Sequence, residues 1–239
     1  MLLDNTNIND FSLWLHLANT DGATILIDKE NGWTSFDVVA KIRNLLKIKK
    51  IGHAGTLDPL ATGLLILCLG KATKTIEQFQ NQPKEYIAEV KFGATTRTDD
   101  AEAPEENLQD TSFLTEQLIA EKSKLFLGEI LQLPPIYSAK KVQGKKLYEL
   151  ARKNKSVDIS PSKVNVYSIE ILNFSNPFVK LKISCSKGTY IRSLARDLGR
   201  EIGCGAYLSS LRRTKIGDFD VEKALKICDV VNLVNSGKL

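Results

Sequence analysis

The stretch of the 239-residue chain with the most chemical potential is GHAGTLDPLATGLL, from Gly52 to Leu65. Its glycines permit close backbone approach and Pro59 fixes the turn directly after Asp58, so a carboxylate is presented on a constrained loop. A carboxylate presented this way, between a basic helix end and a buried strand, is a candidate functional group. An Asp-Pro turn is also an ordinary structural device, and from these residues alone both readings stand. His53 has no Ser or Cys motif beside it that would make a triad. Gly70-Lys71 is the nearest approach to a phosphate loop. Leu65 stands where the first glycine is required and Ala72 follows the lysine, which excludes nucleoside-triphosphate binding of that type. Cys68, Cys185, Cys204 and Cys228 are widely spaced, with only His16 and His53 to join them. Neither a zinc cage nor a disulfide framework is expected.

The elements that must position Asp58 are legible on both sides of it. Residues 23–28, ATILID, read as a short buried strand. Thr34 and Asp37 resemble a capping box with Asp in place of Glu, and Val38, Ile42, Leu45 and Leu46 follow at helical spacing. That helix ends in a basic cluster, Lys47, Lys49 and Lys50, and the glycine-rich loop then leads into the apolar run Leu64 to Leu69, a fully buried strand. Tyr86, Ala88, Val90 and Phe92 alternate with Ile87, Glu89 and Lys91, as in a strand with one buried face. Asp99 to Asp110 reads as an acidic loop, followed by a helix to about Lys124. Val179, Leu181, Ile183 and Cys185 mark another strand, and a helix with Ile191, Leu194, Leu198 and Ile202 inward begins after Gly188-Thr189. Strands and helices alternate without a β-α-β rhythm, so the expected class is α+β. A last helix is expected from Val221 to Val231.

The net charge is +5, but it is unevenly spread. By residue count it is zero over residues 1–83, −6 over 84–139, +12 over 140–215 and −1 over the remainder. A segment as basic as 140–215 attracts polyanions through counterion release, and RNA is the natural candidate, although a solvated charged face has the same composition. The first 18 residues lack the basic start and long apolar middle of a signal peptide, and no apolar run reaches membrane-spanning length. The expected location is cytoplasmic, with no membrane and no obligate protein partner.

Four segments in the same order resemble the TruB-type tRNA pseudouridine synthases. They are the Asp58 loop; Lys84-Glu85-Tyr86, similar to that family's Lys-x-Tyr motif; PPIYSAKKVQGKKLYELAR, from Pro134 to Arg152, similar to its mobile RNA-gripping insertion; and CSKGTYIRSLARDLG, from Cys185 to Gly199, followed by Leu211-Arg212-Arg213. The match covers about residues 23–217. What the resemblance implies is isomerisation of the uridine at position 55 in the tRNA T loop, without metal or cofactor, after that nucleotide is flipped out of its stack. The base is detached at N1, turned and rejoined through C5. Asp58 would be the nucleophile, at ribose C1′ or uracil C6. Arg192 would supply the countercharge that keeps it ionised. Read alone, Arg192 could equally belong to a surface row with Arg196 and Arg200. Tyr86 would stack on the uracil and serve proton transfer there, although by itself it is an aromatic at a sheet rim. Tyr190 and Leu211 would line the pocket, and His53 would take the place of, or contact, the flipped nucleotide. Lys84, Lys140, Lys141, Lys145, Lys146 and Arg212 would contact RNA, with Arg152, Lys153, Lys155, Tyr137 and Tyr148 adding to the clamp.

The fold implied is a central, largely antiparallel mixed sheet with peripheral helices and a catalytic cleft across mid-sheet. The expected organisation is an N-terminal extension (1–18), a catalytic domain (19–217) carrying the insertion 134–155, and a short C-terminal helix or tail (218–239) with no RNA-binding domain of the PUA type. Rival readings are a non-catalytic RNA-binding or RNA-folding protein, a synthase acting on another RNA, and, least favoured for want of a ligand cluster, a metal-dependent hydrolase.

Overall fold

The computed structural model describes residues 1–138, 141–142, 145–147 and 159–236. In chain order the strands are β1 (Leu2–Leu3), β2 (Ala23–Lys29), β3 (Ile51–His53), β4 (Thr62–Leu69), β5 (Lys84–Phe92), β6 (Thr95–Thr96) and β7 (Glu105–Glu106). They continue with β8 (Gly128–Gln132), β9 (Lys141–Val142), β10 (Lys145–Lys146), β11 (Ser162–Ser175), β12 (Phe178–Cys185), β13 (Ala206–Ile216) and β14 (Phe219–Asp220). The α-helices are α1 (Phe11–Thr20), α2 (Ser35–Leu46), α3 (Ile76–Asn81), α4 (Glu116–Ser123), α5 (Ile191–Ile202) and α6 (Ile227–Asn235). The chain forms two compact units: Met1–Tyr86 with Arg212–Leu239, and Ile87–Leu211. The divisions fall inside β5 and β13.

In the first unit the strand order is β1-β2-β4-β13, with β3 also paired to β4 and β14 to β13. β2 and β4 are antiparallel, whereas β1 joins β2, and β13 joins β4, in parallel. Ile25, Ile27, Leu65, Leu67 and Leu69 point into a core with Phe11, Trp14, Val38, Ile42 and Val230. The alternate residues Leu26, Leu64 and Ile66 enter a second core with Ala54, Ile216 and Val221. β4 is therefore buried on both faces, which is why it reads as an unbroken apolar run rather than an alternation. α2 begins as its sequence predicts: the Thr34 side chain accepts from the Asp37 N–H at 3.0 Å, and the Asp37 carboxylate accepts from the Thr34 N–H at 2.9 Å.

Residues 1–18 are part of this unit's framework. β1 extends the β2 edge, and Leu3, Phe11, Trp14 and Ala18 are fully buried. The C-terminal helix begins later than its apolar pattern suggests. Val221–Lys223 is a single 3-10 turn, and Leu225 then exchanges backbone hydrogen bonds with the β2 edge at Leu26 and Asp28. Committed to that bridge, Leu225 cannot be helical. α6 starts only where Asp229 accepts from the Lys226 N–H at 2.8 Å.

In the second unit the order is β13-β5-β12-β11-β8, and the β11–β12 and β11–β8 pairs are antiparallel. The buried positions of β5 in this unit are Ala88, Val90 and Phe92, alternating as expected. α5 buries Ile191, Leu194, Ala195 and Leu198, while Ile202 is only half-buried. The acidic segment after β6 is mostly irregular but includes the β6–β7 hairpin, with Thr95 opposite Glu106. The last two turns of the expected helix before Lys124 form α4. Among the described residues no helix is long and apolar enough to cross a membrane.

Candidate active site

In the first unit, Asp58 lies on the excursion between β3 and β4. Both strands are paired as far as His53 opposite Leu67, and the Ala54 N–H donates to the Ile66 carbonyl at 2.9 Å. Beyond that point β3 has left the β4 edge, and β13 joins the edge only at Thr62 and Gly63. Arg213 occupies the interval. Its side chain is 1% exposed; Nε donates to the Leu64 carbonyl at 2.7 Å, and Nη2 to the Gly55 carbonyl at 3.2 Å. Nη1 reaches the Thr56 carbonyl at 3.5 Å. One guanidinium thus replaces the missing strand on β4 and holds the loop three residues before Asp58.

Gly63 makes this approach possible. It has φ +99°, and a Cβ there would lie 2.3 Å from the Arg213 carbonyl oxygen. The other end of the loop is held by Lys29, whose fully buried ammonium donates to the carbonyls of Trp33 (2.6 Å), Glu30 (2.9 Å) and Pro59 (3.3 Å). The buried Ser35 hydroxyl accepts from the Leu57 N–H at 2.8 Å. Residues 55–59 are therefore tied by the end of β2, the start of α2 and the interior of β13, while Asp58 itself remains only half-buried. Side chains with full charges normally face water, so neither Lys29 nor Arg213 stands out from composition. The signals available were Lys29 closing an apolar strand and glycine at position 63.

His53 lies at the mouth of the same loop. Its pKa is pushed below the ordinary histidine value, first by burial and second by the Arg213 charge. Arg212, beside Arg213, points the other way and forms a two-pronged pair with Asp28 at 2.8 and 3.0 Å. Lys84 is 6% exposed, and its ammonium donates to the carbonyls of Phe79, Gln80 and Gln82 at the end of α3. These bonds fix the start of β5 two residues before the buried Tyr86.

The second unit carries Tyr190, Arg192 and Leu211. Tyr190 is the residue before α5, and the buried Gln132 at the end of β8 holds its backbone twice: the amide oxygen accepts from the Tyr190 N–H at 2.8 Å, and the amide nitrogen donates to its carbonyl at 3.0 Å. Arg192 is 5% exposed and pairs with the buried Asp100 at 3.3 Å. It also donates to the carbonyls of Thr98 and Tyr137, each at 3.0 Å. Arg196 pairs with Asp99 at 2.8 Å, and burial outweighs this arginine in raising the Asp99 pKa. Arg200 is exposed. The arginines at helical spacing are thus graded from core to solvent, which removes the surface-row reading. Leu211 is 9% exposed near the end of this unit. Lys140, Tyr148, Arg152, Lys153 and Lys155 lie outside the described residues. Lys141, Lys145 and Lys146 fall on the antiparallel pair β9–β10, of which only the backbone is described. Among the described residues no group of three or more His, Cys, Asp and Glu side chains could hold a metal ion.

The arrangement is similar to that of known proteins. The structure is similar to a Cbf5-Nop10-Gar1 complex chain, with TM-score 0.72 and 32% identity over 91% of this chain. It is also similar to a chain of an H/ACA RNP bound to a substrate RNA containing 2'-deoxyuridine, with TM-score 0.68, 30% identity and 91% coverage. The protein spans just over half the length of each, 56% and 55%. Fold and loop together are those of the α+β pseudouridine synthases, enzymes of the isomerase class. The profile described as TruB family pseudouridylate synthase (N terminal domain) matches residues 43–191, and that of the tRNA pseudouridylate synthase B C-terminal domain matches residues 192–238. The tRNA pseudouridine synthase B of Parabacteroides distasonis is 47% identical over 210 residues, covering 85% of this chain and 89% of that one. The chain belongs to the TruB family of pseudouridylate synthases. The two profiles meet between residues 191 and 192.

Proposed function

We propose that this protein converts the T-loop uridine at position 55 of tRNA to pseudouridine, with Asp58 as nucleophile. The observation that carries this reading is the immobilisation of the Asp58 loop by Arg213, Lys29 and Ser35, in a chain 47% identical over 210 residues to a tRNA pseudouridine synthase B. A nucleophile on a pre-set loop does not have to be ordered at the moment of reaction.

In the proposed sequence the target nucleotide is flipped out and Asp58 forms the covalent bond, at C1′ or C6. The N1–C1′ bond breaks, the base turns, C5 bonds to C1′, and the bond to Asp58 breaks with its electron pair returning to the carboxylate. The proton displaced from C5 is lost and N1 is protonated, so the product is an isomer and nothing else is consumed. Tyr86 stacks on the uracil and serves proton transfer there, and Arg192 provides positive charge for the carboxylate. Tyr190 and Leu211 bound the pocket and His53 meets the nucleotide at its edge. Lys84 acts through the backbone of β5, because its donors are directed to α3 carbonyls. Arg212 and Lys140, Lys141, Lys145 and Lys146 serve the RNA backbone. The reaction is proposed to take place in the cytoplasm, on the tRNA T arm, with no added metal or cofactor and no obligate protein partner. The test is incubation of the purified protein with an unmodified tRNA transcript in chelator, followed by pseudouridine mapping. Product at the T-loop uridine is expected; no product at any T-loop uridine would remove the proposal.

A further inference from the structure

Residues 41–50 carry five cations, Lys41, Arg43, Lys47, Lys49 and Lys50, and there is no acidic residue from Val38 to Leu57. The zero net charge of residues 1–83 conceals this separation. Arg43, Asn44, Lys47, Ile48 and Lys49 line a shallow, largely open depression at the C-terminal corner of α2. Its cations make no ion pair among the described residues, and the Arg43 Nε is buried without a hydrogen-bond partner. A buried guanidinium N–H left unsatisfied is costly unless an acceptor arrives.

Lys47 caps α2 in the left-handed conformation, with φ 57°. Glycine is the usual residue there, and the corresponding cap of α5 is Gly203 at φ 96°. Lys47 thus accepts a conformation that costs glycine less, and its exposed side chain stands at the corner with the other cations. The corner is contiguous with the catalytic segment. Lys50 leads directly into β3, and three extended residues, about 10 Å, separate it from His53.

From the acid-free run of cations, their lack of ion pairs among the described residues and the unsatisfied Arg43 Nε, we infer that the α2 corner is a second RNA-contacting surface, which takes a phosphodiester of the substrate backbone. This inference rests on the proposed RNA-modifying function. It assigns to the first unit a share of the binding that charge counting gives wholly to residues 140–215.

The test uses the full chain and an unmodified tRNA transcript, with dissociation constants measured between roughly 50 and 200 mM salt, a range over which phosphate contacts dominate the change. Two variants are compared with wild type: Lys47→Gly, and Arg43→Gln/Lys47→Gly/Lys49→Gln. The triple variant is expected to bind about tenfold more weakly or worse near 150 mM salt, with a log–log salt slope shallower by about two. Lys47→Gly alone is expected to lower the slope by about 0.7–0.9 while its thermal midpoint stays equal or rises, because glycine suits the left-handed cap. Wild-type affinity and slope in the triple variant would overturn the inference. So would a lowered midpoint in Lys47→Gly with binding unchanged, which would make the lysine a structural cap. Pseudouridine formation by wild type on the same transcript is scored in parallel. Its absence would count against the proposed function, whereas an unchanged salt slope with product present counts only against this surface.

Discussion

Arg213→Met is the most informative single change that leaves the proposed reacting groups in place. Methionine has a similar length but no donors, so it fills the space while releasing the loop. Two well-formed bonds are lost, to Leu64 at 2.7 Å and Gly55 at 3.2 Å; the 3.5 Å contact to Thr56 is at the limit of a hydrogen bond and is given no weight. Each buried carbonyl left without a partner costs about 1–3 kcal/mol, and removing the buried charge returns part of that, so a net destabilisation of about 2–4 kcal/mol is expected. The effect on turnover should exceed what stability alone predicts, because a shift of about 1 Å in a positioned group can cost about 100-fold. Urea unfolding gives the first quantity. Single-turnover pseudouridine formation at saturating tRNA, under conditions where the variant is fully folded, gives the second. Arg213→Lys, able to serve only part of this acceptor set, should fall between wild type and methionine in both. A methionine variant within about 0.5 kcal/mol of wild type and equally fast would refute the clamp argument.

Further outcomes follow from the same structure. Because the folded state lowers the His53 pKa, the unfolded chain takes up a proton below its ordinary value of 6.5 that the folded chain resists. The stability contributed by neutral His53 is therefore fully present above that value and lost as pH falls towards the folded-state pKa. His53→Gln should flatten the decline measured by urea unfolding between about pH 7 and 5, and an unaltered pH profile would contradict this. Cys228 is exposed, whereas Cys68, Cys185 and Cys204 are buried, and burial pushes the Cys68 thiol to about 11. Native protein should thus show a single fast-reacting thiol, lost in Cys228→Ser; a second fast thiol would contradict the burial pattern. Gly63→Ala should destabilise as strongly as a buried cavity mutation, since its Cβ would strike the Arg213 backbone. A thermal midpoint equal to wild type would disprove that contact.

The parts of the fold that were legible in the sequence are those with an undisturbed period. β5 alternates and α2 has both its cap and its apolar face, while the doubly buried β4 reads as a continuous run. β11 was not legible because register shifts between Val166 and Ser168, and between Ile171 and Asn173, break the alternation of its 14 residues. β13 was hidden by Arg212-Arg213, a charged pair of which one member is buried and the other ion-paired to Asp28. The same rule limits the site. Asp58, Tyr86 and Arg192 stand in motifs, but Arg213 and Gln132 are buried polar side chains satisfied by partners distant in sequence, and Lys29 and Asp100 each add one such partner, Pro59 and Arg192, to bonds made with near neighbours. No local pattern announces such bonds, and they become visible only when the acceptors are in place.

The central claim is that one carboxylate does the covalent work on a uridine of tRNA. Single-turnover assays of wild type and Asp58→Asn on the same unmodified transcript, with tRNA affinity measured alongside, test it most directly. The account predicts T-loop pseudouridine from wild type and none from the near-isosteric variant, with affinities agreeing within about tenfold. Substantial pseudouridine from Asp58→Asn would contradict it.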